Sequence, residues 1–137
     1  MKRVILDTGP LVAWFCPRDE HHAWAGQAFA QIKAGGVVCE AVITEACHLV
    51  VKEGVGRGKV LEFVESGGLV TIPLGTELSA IRALLDRYAD APMDFADACV
   101  VRLAELHPDS VVCTTDGHFQ FFRKNVHETI ELRSPVK

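Results

Sequence analysis

VILDTGPLV, residues 4–12, decides how the rest of the chain is read. Val4, Ile5 and Leu6 form a continuous apolar run, the pattern of a strand covered on both faces. The run ends on Asp7, and Thr8-Gly9-Pro10 follows at once as a turn. A carboxylate at the end of a buried strand is expensive unless something pairs with it. Asp7 therefore needs a reason to be there.

The chain has 137 residues, 49% of them hydrophobic and 23% charged, an ordinary globular balance. That length suits one domain spanning 1–137 with a full core. No apolar stretch approaches the ~20 residues of a membrane-spanning helix, so no membrane partner is expected. The start, Met-Lys-Arg-Val-Ile-Leu, mimics a short signal peptide, but Asp7 interrupts it and argues for a cytoplasmic protein. Cys16, Cys39, Cys47, Cys99 and Cys113 are scattered among apolar neighbours, as expected of small buried thiols in a reducing compartment. They form no zinc-binding pattern. The net charge of −4 speaks against a nucleic-acid partner, which usually calls for a basic excess. Acids gathered around divalent cations would reverse that inference, because two Mg²⁺ ions carry four positive charges. Charge alone does not decide.

Short β-branched runs alternate with helical stretches. Strands are predicted at Arg3–Leu6, Val37–Cys39, Leu69–Ile72, Ser110–Cys113 and Thr129–Leu132. Helices are predicted near Pro10 and over His21–Lys33, Val42–Lys52, Gly58–Glu65, Glu77–Tyr88 and Asp94–Leu106, with a helical turn at Phe119–Arg123. Strands separated by helices imply crossover connections, a parallel sheet and helices on both faces. Ligands of such sheets gather outside the carboxyl ends of the strands, which is where Asp7 emerges.

The same edge collects other acids. Glu45 lies in the first turns of the helix after the second strand. Asp97 opens a helix that runs antiparallel to the fourth strand, and Asp116 follows that strand in VVCTTDGHF. Two unit charges ~4 Å apart repel by roughly 4 kcal/mol at a protein surface. A cation makes such crowding tolerable, and Mg²⁺ or Mn²⁺ suits carboxylate and water oxygens. Two-metal hydrolysis of phosphodiesters uses this arrangement.

Each acid also has a local reading. Asp7 can cap a helix, and Asp94 and Asp97 have the spacing of a capping box. Glu45 can be an exposed helix residue, and Asp116-Gly117 an ordinary turn. Their convergence on one predicted rim favours a site.

VILDTGPLVAWF, VITEACHLV, PMDFADACVVRLAE and VCTTDGHF resemble the successive motifs of a PIN-domain ribonuclease, and most of all the VapC-type toxins of type II toxin–antitoxin pairs. The resemblance spans nearly the whole chain. It implies an α/β fold, a three-layer α/β/α sandwich with a mainly parallel five-stranded sheet. It also implies a Mg²⁺- or Mn²⁺-dependent endoribonuclease acting on RNA, a homodimer inhibited by a cognate antitoxin protein. Carried onto this chain, the acidic set is Asp7, Glu45, Asp97 and Asp116, with Asp7 and Asp97 the best matched. Thr8 and Thr114 fall where such proteins often have Ser or Thr, positioned to orient a carboxylate or water. Related sequences often place another acid before the Phe of the last motif, where this chain has His118.

Two other enzymes use an Asp after a first strand. A haloacid-dehalogenase-type phosphatase needs a second Asp where this chain has Gly9. A phosphoacceptor receiver domain needs one at the end of its third strand, and GGLVTIP, residues 67–73, supplies none. The remaining alternatives are a non-catalytic PIN-like module that binds RNA or protein, and a PIN nuclease outside any toxin system. Arg18, Lys52, Arg57, Lys59, Arg102, Arg123 and Lys124 are candidate phosphate contacts, most of them simple solvated charges.

Overall fold

Apolar strands that fill a core must pair with one another, and in the computed structural model they do so as one parallel sheet. The structure describes residues 2–32 and 36–136. Along the chain run β1 (Arg3–Leu6), α1 (Thr8–Phe15), α2 (His22–Gln31), β2 (Gly36–Val38), α3 (Glu40–Lys52) and α4 (Lys59–Phe63). Then come β3 (Val70–Thr71), α5 (Leu78–Arg87), α6 (Phe95–Leu106), β4 (Ser110–Cys113), β5 (Arg123–Lys124), β6 (Glu128–Thr129) and β7 (Leu132–Arg133). The main sheet has the order β3-β2-β1-β4-β7, with every neighbouring pair parallel.

The steps from β1 to β2 and from β2 to β3 move the same way across the sheet, and the step from β3 to β4 returns over both. Right-handed crossovers then place α1–α4 on one face and α5–α6 on the other. α1 lies against α2 and α3, α3 against α4, α5 against α6, and α3 also meets α6. The connections part to opposite faces between β1 and β4. A crevice opens there at the carboxyl edge. β1, β2 and β4 are buried almost throughout, whereas the edge strands β3 and β7 are partly exposed.

A separate aromatic cluster closes one end of the α1–α4 layer. Trp14 stacks on Phe29 with centroids 4.5 Å apart and meets Phe63 edge-on, also at 4.5 Å. Trp14 and Phe15 thus pack against their own layer. Among the described residues, no helix is long and apolar enough to cross a membrane.

Several predicted boundaries move. The first helix begins at Thr8, directly after Asp7, instead of near Pro10. The second strand is Gly36–Val38, because Cys39 already serves as the N-terminal cap position of α3, which starts at Glu40. The predicted end of the His21–Lys33 helix at Lys33 and Gly35 lies outside the described residues. The helix predicted over Gly58–Glu65 ends at Phe63 and widens into a turn, Val64–Gly68, where Gly67 takes φ 92°. That left-handed value suits a residue without a Cβ.

The largest error lies at the C-terminal end. The fifth strand of the sheet is Leu132–Arg133, not Thr129–Leu132. Glu128–Thr129 pairs antiparallel with Arg123–Lys124 in a small hairpin that the sequence did not announce. Its turn carries Asn125 at φ 50° and Val126 at φ 71°, the latter an unusual conformation for a β-branched residue. Lys124, a candidate phosphate contact, is only 8% exposed, and its Nζ donates to the Pro108 carbonyl. Arg102 is likewise engaged, bound to Glu77 and Glu105.

Candidate active site

The registry of β1 against β4 builds the site. Leu6 lies opposite Cys113, so the next residues, Asp7 and Thr114, leave the sheet side by side. The Asp7 N–H donates to the Cys113 carbonyl at 3.0 Å, continuing the ladder by one rung. The Thr114 hydroxyl donates to Asp7 Oδ2 at 2.7 Å and accepts from the Asp116 N–H at 2.9 Å. One hydroxyl therefore fixes two of the predicted acids, using its hydrogen for one and a lone pair for the other. The Thr114 hydroxyl thus holds one oxygen of the Asp7 carboxyl.

Asp7 is only 5% exposed. It occupies the cap position of α1, but its side chain makes no capping bond. Burial pushes its carboxyl up to about 6; the Thr114 hydroxyl opposes the rise, and the negative charges of Asp116 and Glu45 add to it.

Asp97 combines the local and the functional reading. Asp94 and Asp97 form a reciprocal capping box: the Asp97 N–H donates to Asp94 Oδ1 at 2.8 Å, and the Asp94 N–H to Asp97 Oδ2 at 3.1 Å. Burial pushes the Asp97 carboxyl up to about 7; the Asp94 N–H pulls the other way, and the charges of Asp94 and Asp7 raise it further. The cap thus aims Asp97 at the same edge as Asp7.

Asp7, Glu45, Asp97 and Asp116 line one cleft of about 810 Å³. Asp94 lines it too, as do Asp19, Glu20 and His21 from the α1–α2 connection, and His118 beyond β4. Asp19, Glu20 and His21 escaped the sequence reading, because a connection without periodicity gives no sign of where it folds. Its position after α1, which starts at the site itself, was the only available signal. His118, expected to face solvent, is exposed but also touches Asp116: its Nδ1 lies 2.8 Å from Asp116 Oδ1.

Two features of the first turn of α1 matter. Thr8 is only 4% exposed, lines the cleft, and its Oγ1 has no hydrogen-bond partner. An unmatched buried hydroxyl carries a free-energy penalty. Gly9 is a packing necessity, since a Cβ there would stand 1.9 Å from Thr115 Oγ1.

A divalent cation fits this cleft on three counts. The acids are hard oxygen donors, the charged forms of Asp7 and Asp97 are disfavoured until a cation arrives, and Thr8 lacks a partner. The donors are not gathered in advance, however. Among the described residues, no three His, Cys, Asp or Glu side chains stand close enough to hold one ion. Local bonds occupy some of these oxygens: the Asp94 N–H donates to Asp97 Oδ2 and the His118 N–H to Asp116 Oδ1.

No curated protein matches this chain in sequence. Among solved structures, the crystal structure of VapC20 of Mycobacterium tuberculosis, a sarcin–ricin loop cleaving toxin, superposes with a TM-score of 0.76 at 16% identity. The match covers 83% of this chain and 90% of that one. At that identity the likeness speaks for the fold, a parallel sheet flanked by helices. The sequence match is more direct: residues 4–125, from the strand before Asp7 to the turn of the hairpin, fit the PIN domain family, and to that family the chain belongs.

Proposed function

We propose that this chain is an endoribonuclease that hydrolyses RNA phosphodiester bonds with Mg²⁺ or Mn²⁺, and that Asp7, Glu45, Asp97 and Asp116 hold the cation. One observation carries the reading: four carboxylates from distant parts of the chain line a single cleft, with Asp7 buried in its floor. Burial alone makes the charged forms of Asp7 and Asp97 costly.

A bound cation would supply an activated water for attack at phosphorus and neutralise charge on the leaving oxygen. The chain's own groups do the positioning. Thr114 holds Asp7 and the backbone of Asp116 in one arrangement, and the Asp94 N–H holds Asp97. Thr8, buried at the start of α1 next to Asp7, lines the same cleft. Hydrolysis adds one water across one P–O bond and needs no covalent enzyme intermediate. Among the described residues no lysine or arginine lines the cleft, so the cation is also what makes it receptive to phosphate.

The biological setting belongs to the same proposal. The fold likeness to VapC20, together with the four motifs, supports a toxin paired with an antitoxin protein, acting in the cytoplasm as a homodimer. An adjoining small reading frame whose product co-purifies with the chain and blocks cleavage would support that pairing. Its absence would point to a PIN nuclease outside a toxin system. Light scattering of the purified chain decides between monomer and dimer.

The lack of a preassembled three-donor cluster favours a second reading, a module that binds RNA without cutting it. One assay separates the two. Purified protein is incubated with total RNA in Mn²⁺, in Mg²⁺ and in EDTA, and the ends are mapped. Discrete ends that need a divalent cation support the nuclease; intact RNA retained by the protein in all three supports the module.

A further inference from the structure

Of the cations that the sequence offers as phosphate contacts, the fold engages most elsewhere. Lys124 is buried against the Pro108 carbonyl, and Arg102 is held by Glu77 and Glu105. Lys59 pairs with Glu62, and the Arg123 guanidinium donates to the Gln120 and Phe122 carbonyls. Arg57 lies past α3, in the turn before α4. Arg18 and Lys52 remain, and they meet. Both are exposed, and with Cys16, Pro17 and Glu53 they line a hollow of about 410 Å³. Among the described residues neither makes an ion pair, even with Glu53. The hollow adjoins the acidic cleft along two elements. On the α1–α2 connection, Arg18 is followed at once by Asp19, Glu20 and His21, which line the cleft. On α3, Glu45 and Leu49 line the cleft and Lys52 the hollow. Spacings of four and three residues put them on one helix face, with Lys52 two turns, about 10 Å, beyond Glu45. The end of α3 gives Lys52 a local use, since a cation there complements the helix dipole. Arg18 belongs to no helix and has no such use.

We infer that Arg18 and Lys52 form a subsite for an RNA phosphate flanking the one that is cut, with the strand running along the α3 face from Glu45 over Leu49 to Lys52. The inference rests on the RNA-hydrolase reading of the cleft and adds how the strand is held. A cation among the acids serves the scissile phosphate, but the neighbouring phosphates lie beyond it, and no lysine or arginine lines the cleft among the described residues. A polyanion drawn to an acidic rim needs countercharge close by. These two side chains supply it from two different elements. Arg18 can grip two phosphate oxygens with its planar fork, and Lys52 adds a point charge. Leu49, between Glu45 and Lys52, offers apolar surface to a sugar or base. Glu53, the one acid lining the hollow, opposes the arrangement and weakens the subsite.

The test uses the full chain and a labelled single-stranded RNA of mixed sequence. Binding is read by fluorescence anisotropy in EDTA, and KM and kcat are read in Mn²⁺, each over a salt series. Arg18→Ala and Lys52→Ala should each weaken binding about three- to tenfold. Each should also flatten the slope of log affinity against log salt by about 0.7, the increment for one phosphate contact on a single strand, and the double variant by about 1.4. In Mn²⁺ the losses should appear in KM, with kcat kept. Glu53→Gln should tighten binding, which a merely structural role for the pair does not predict, and Lys59→Ala should match wild type. A loss of kcat with KM and salt slope unchanged overturns the subsite, as does a Glu53→Gln variant that binds more weakly. Failure here and failure of the nuclease reading are distinguishable. If wild type cuts RNA and the double variant shows the same KM and slope, the nuclease stands and the subsite falls. If wild type cuts nothing but binds RNA through Arg18 and Lys52, the subsite stands without hydrolysis. A wild type that neither binds nor cuts RNA removes both.

Discussion

The acidic cleft and the aromatic cluster both involve α1, one at its first turn and the other near its last, and they obey opposite energetics. At the first turn, Asp7 is buried against burial's own preference, and its neighbours repel it. Toward the last turn, Trp14, Phe29 and Phe63 stack and meet edge-on, an arrangement that stabilises beyond simple area burial. One helix thus carries the molecule's strain at one end and part of its compensation near the other. Stability and chemistry should therefore separate cleanly under mutation.

The widest separation is expected from Asp7→Asn. Cleavage should fall by at least about a hundredfold, the scale at which a site loses a principal charge-stabilising group. The same substitution should make the metal-free protein more stable at pH 8, as read by chemical denaturation. Wild-type rates for this variant would break the comparison at its functional end. Phe63→Ala tests the other end. Truncating a half-buried aromatic should cost about 2–4 kcal/mol of stability, with cleavage per folded molecule unchanged. A specific loss of cleavage at full stability would show that the cluster serves the chemistry.

A pH series sharpens the contrast further. Asp7 titrates at about 6 in the folded chain, against an ordinary carboxyl value of 3.8. The folded state thus holds this proton more tightly than the unfolded state. The associated stability is fully present below pH 4 and is lost as pH rises through 6. For two pH units this amounts to about 2–3 kcal/mol, so the stability gap between Asp7→Asn and wild type should open by that much between pH 4 and 8. Asp97, pushed up to about 7, extends the window upward. A gap that stays constant with pH would mean that Asp7 is not strained. The smallest effect is expected from Thr114→Val, which removes the hydroxyl serving Asp7 and Asp116. A loss of about 1–2 kcal/mol and a few-fold drop in cleavage should follow, with Thr114→Ser restoring both.

The acidic end was legible in sequence for a physical reason. A strand buried on both faces must be continuously apolar, so its end is sharply marked, and topology then dictates which edge receives Asp7, Glu45, Asp97 and Asp116. The Asp94-x-x-Asp97 spacing was legible too, although sequence could not say whether it caps or serves the site; the structure shows a cap that also aims Asp97 into the cleft. The C-terminal hairpin was not legible. Its strands are two residues each, too short for periodicity, and its turn relies on Asn125 and Val126 where a glycine would have given the signal. Asp19, Glu20 and His21 reach the cleft only because the chain bends back after α1, a tertiary event without a local code.

Gly9 sets a boundary for anyone wishing to redesign this protein. Because the Thr115 side chain beyond β4 occupies the room that a Cβ at position 9 would claim, any side chain placed there has to displace Thr115. New specificity has to be written into the rim, on the α1–α2 connection and around His118, where substitutions meet solvent before they meet the sheet.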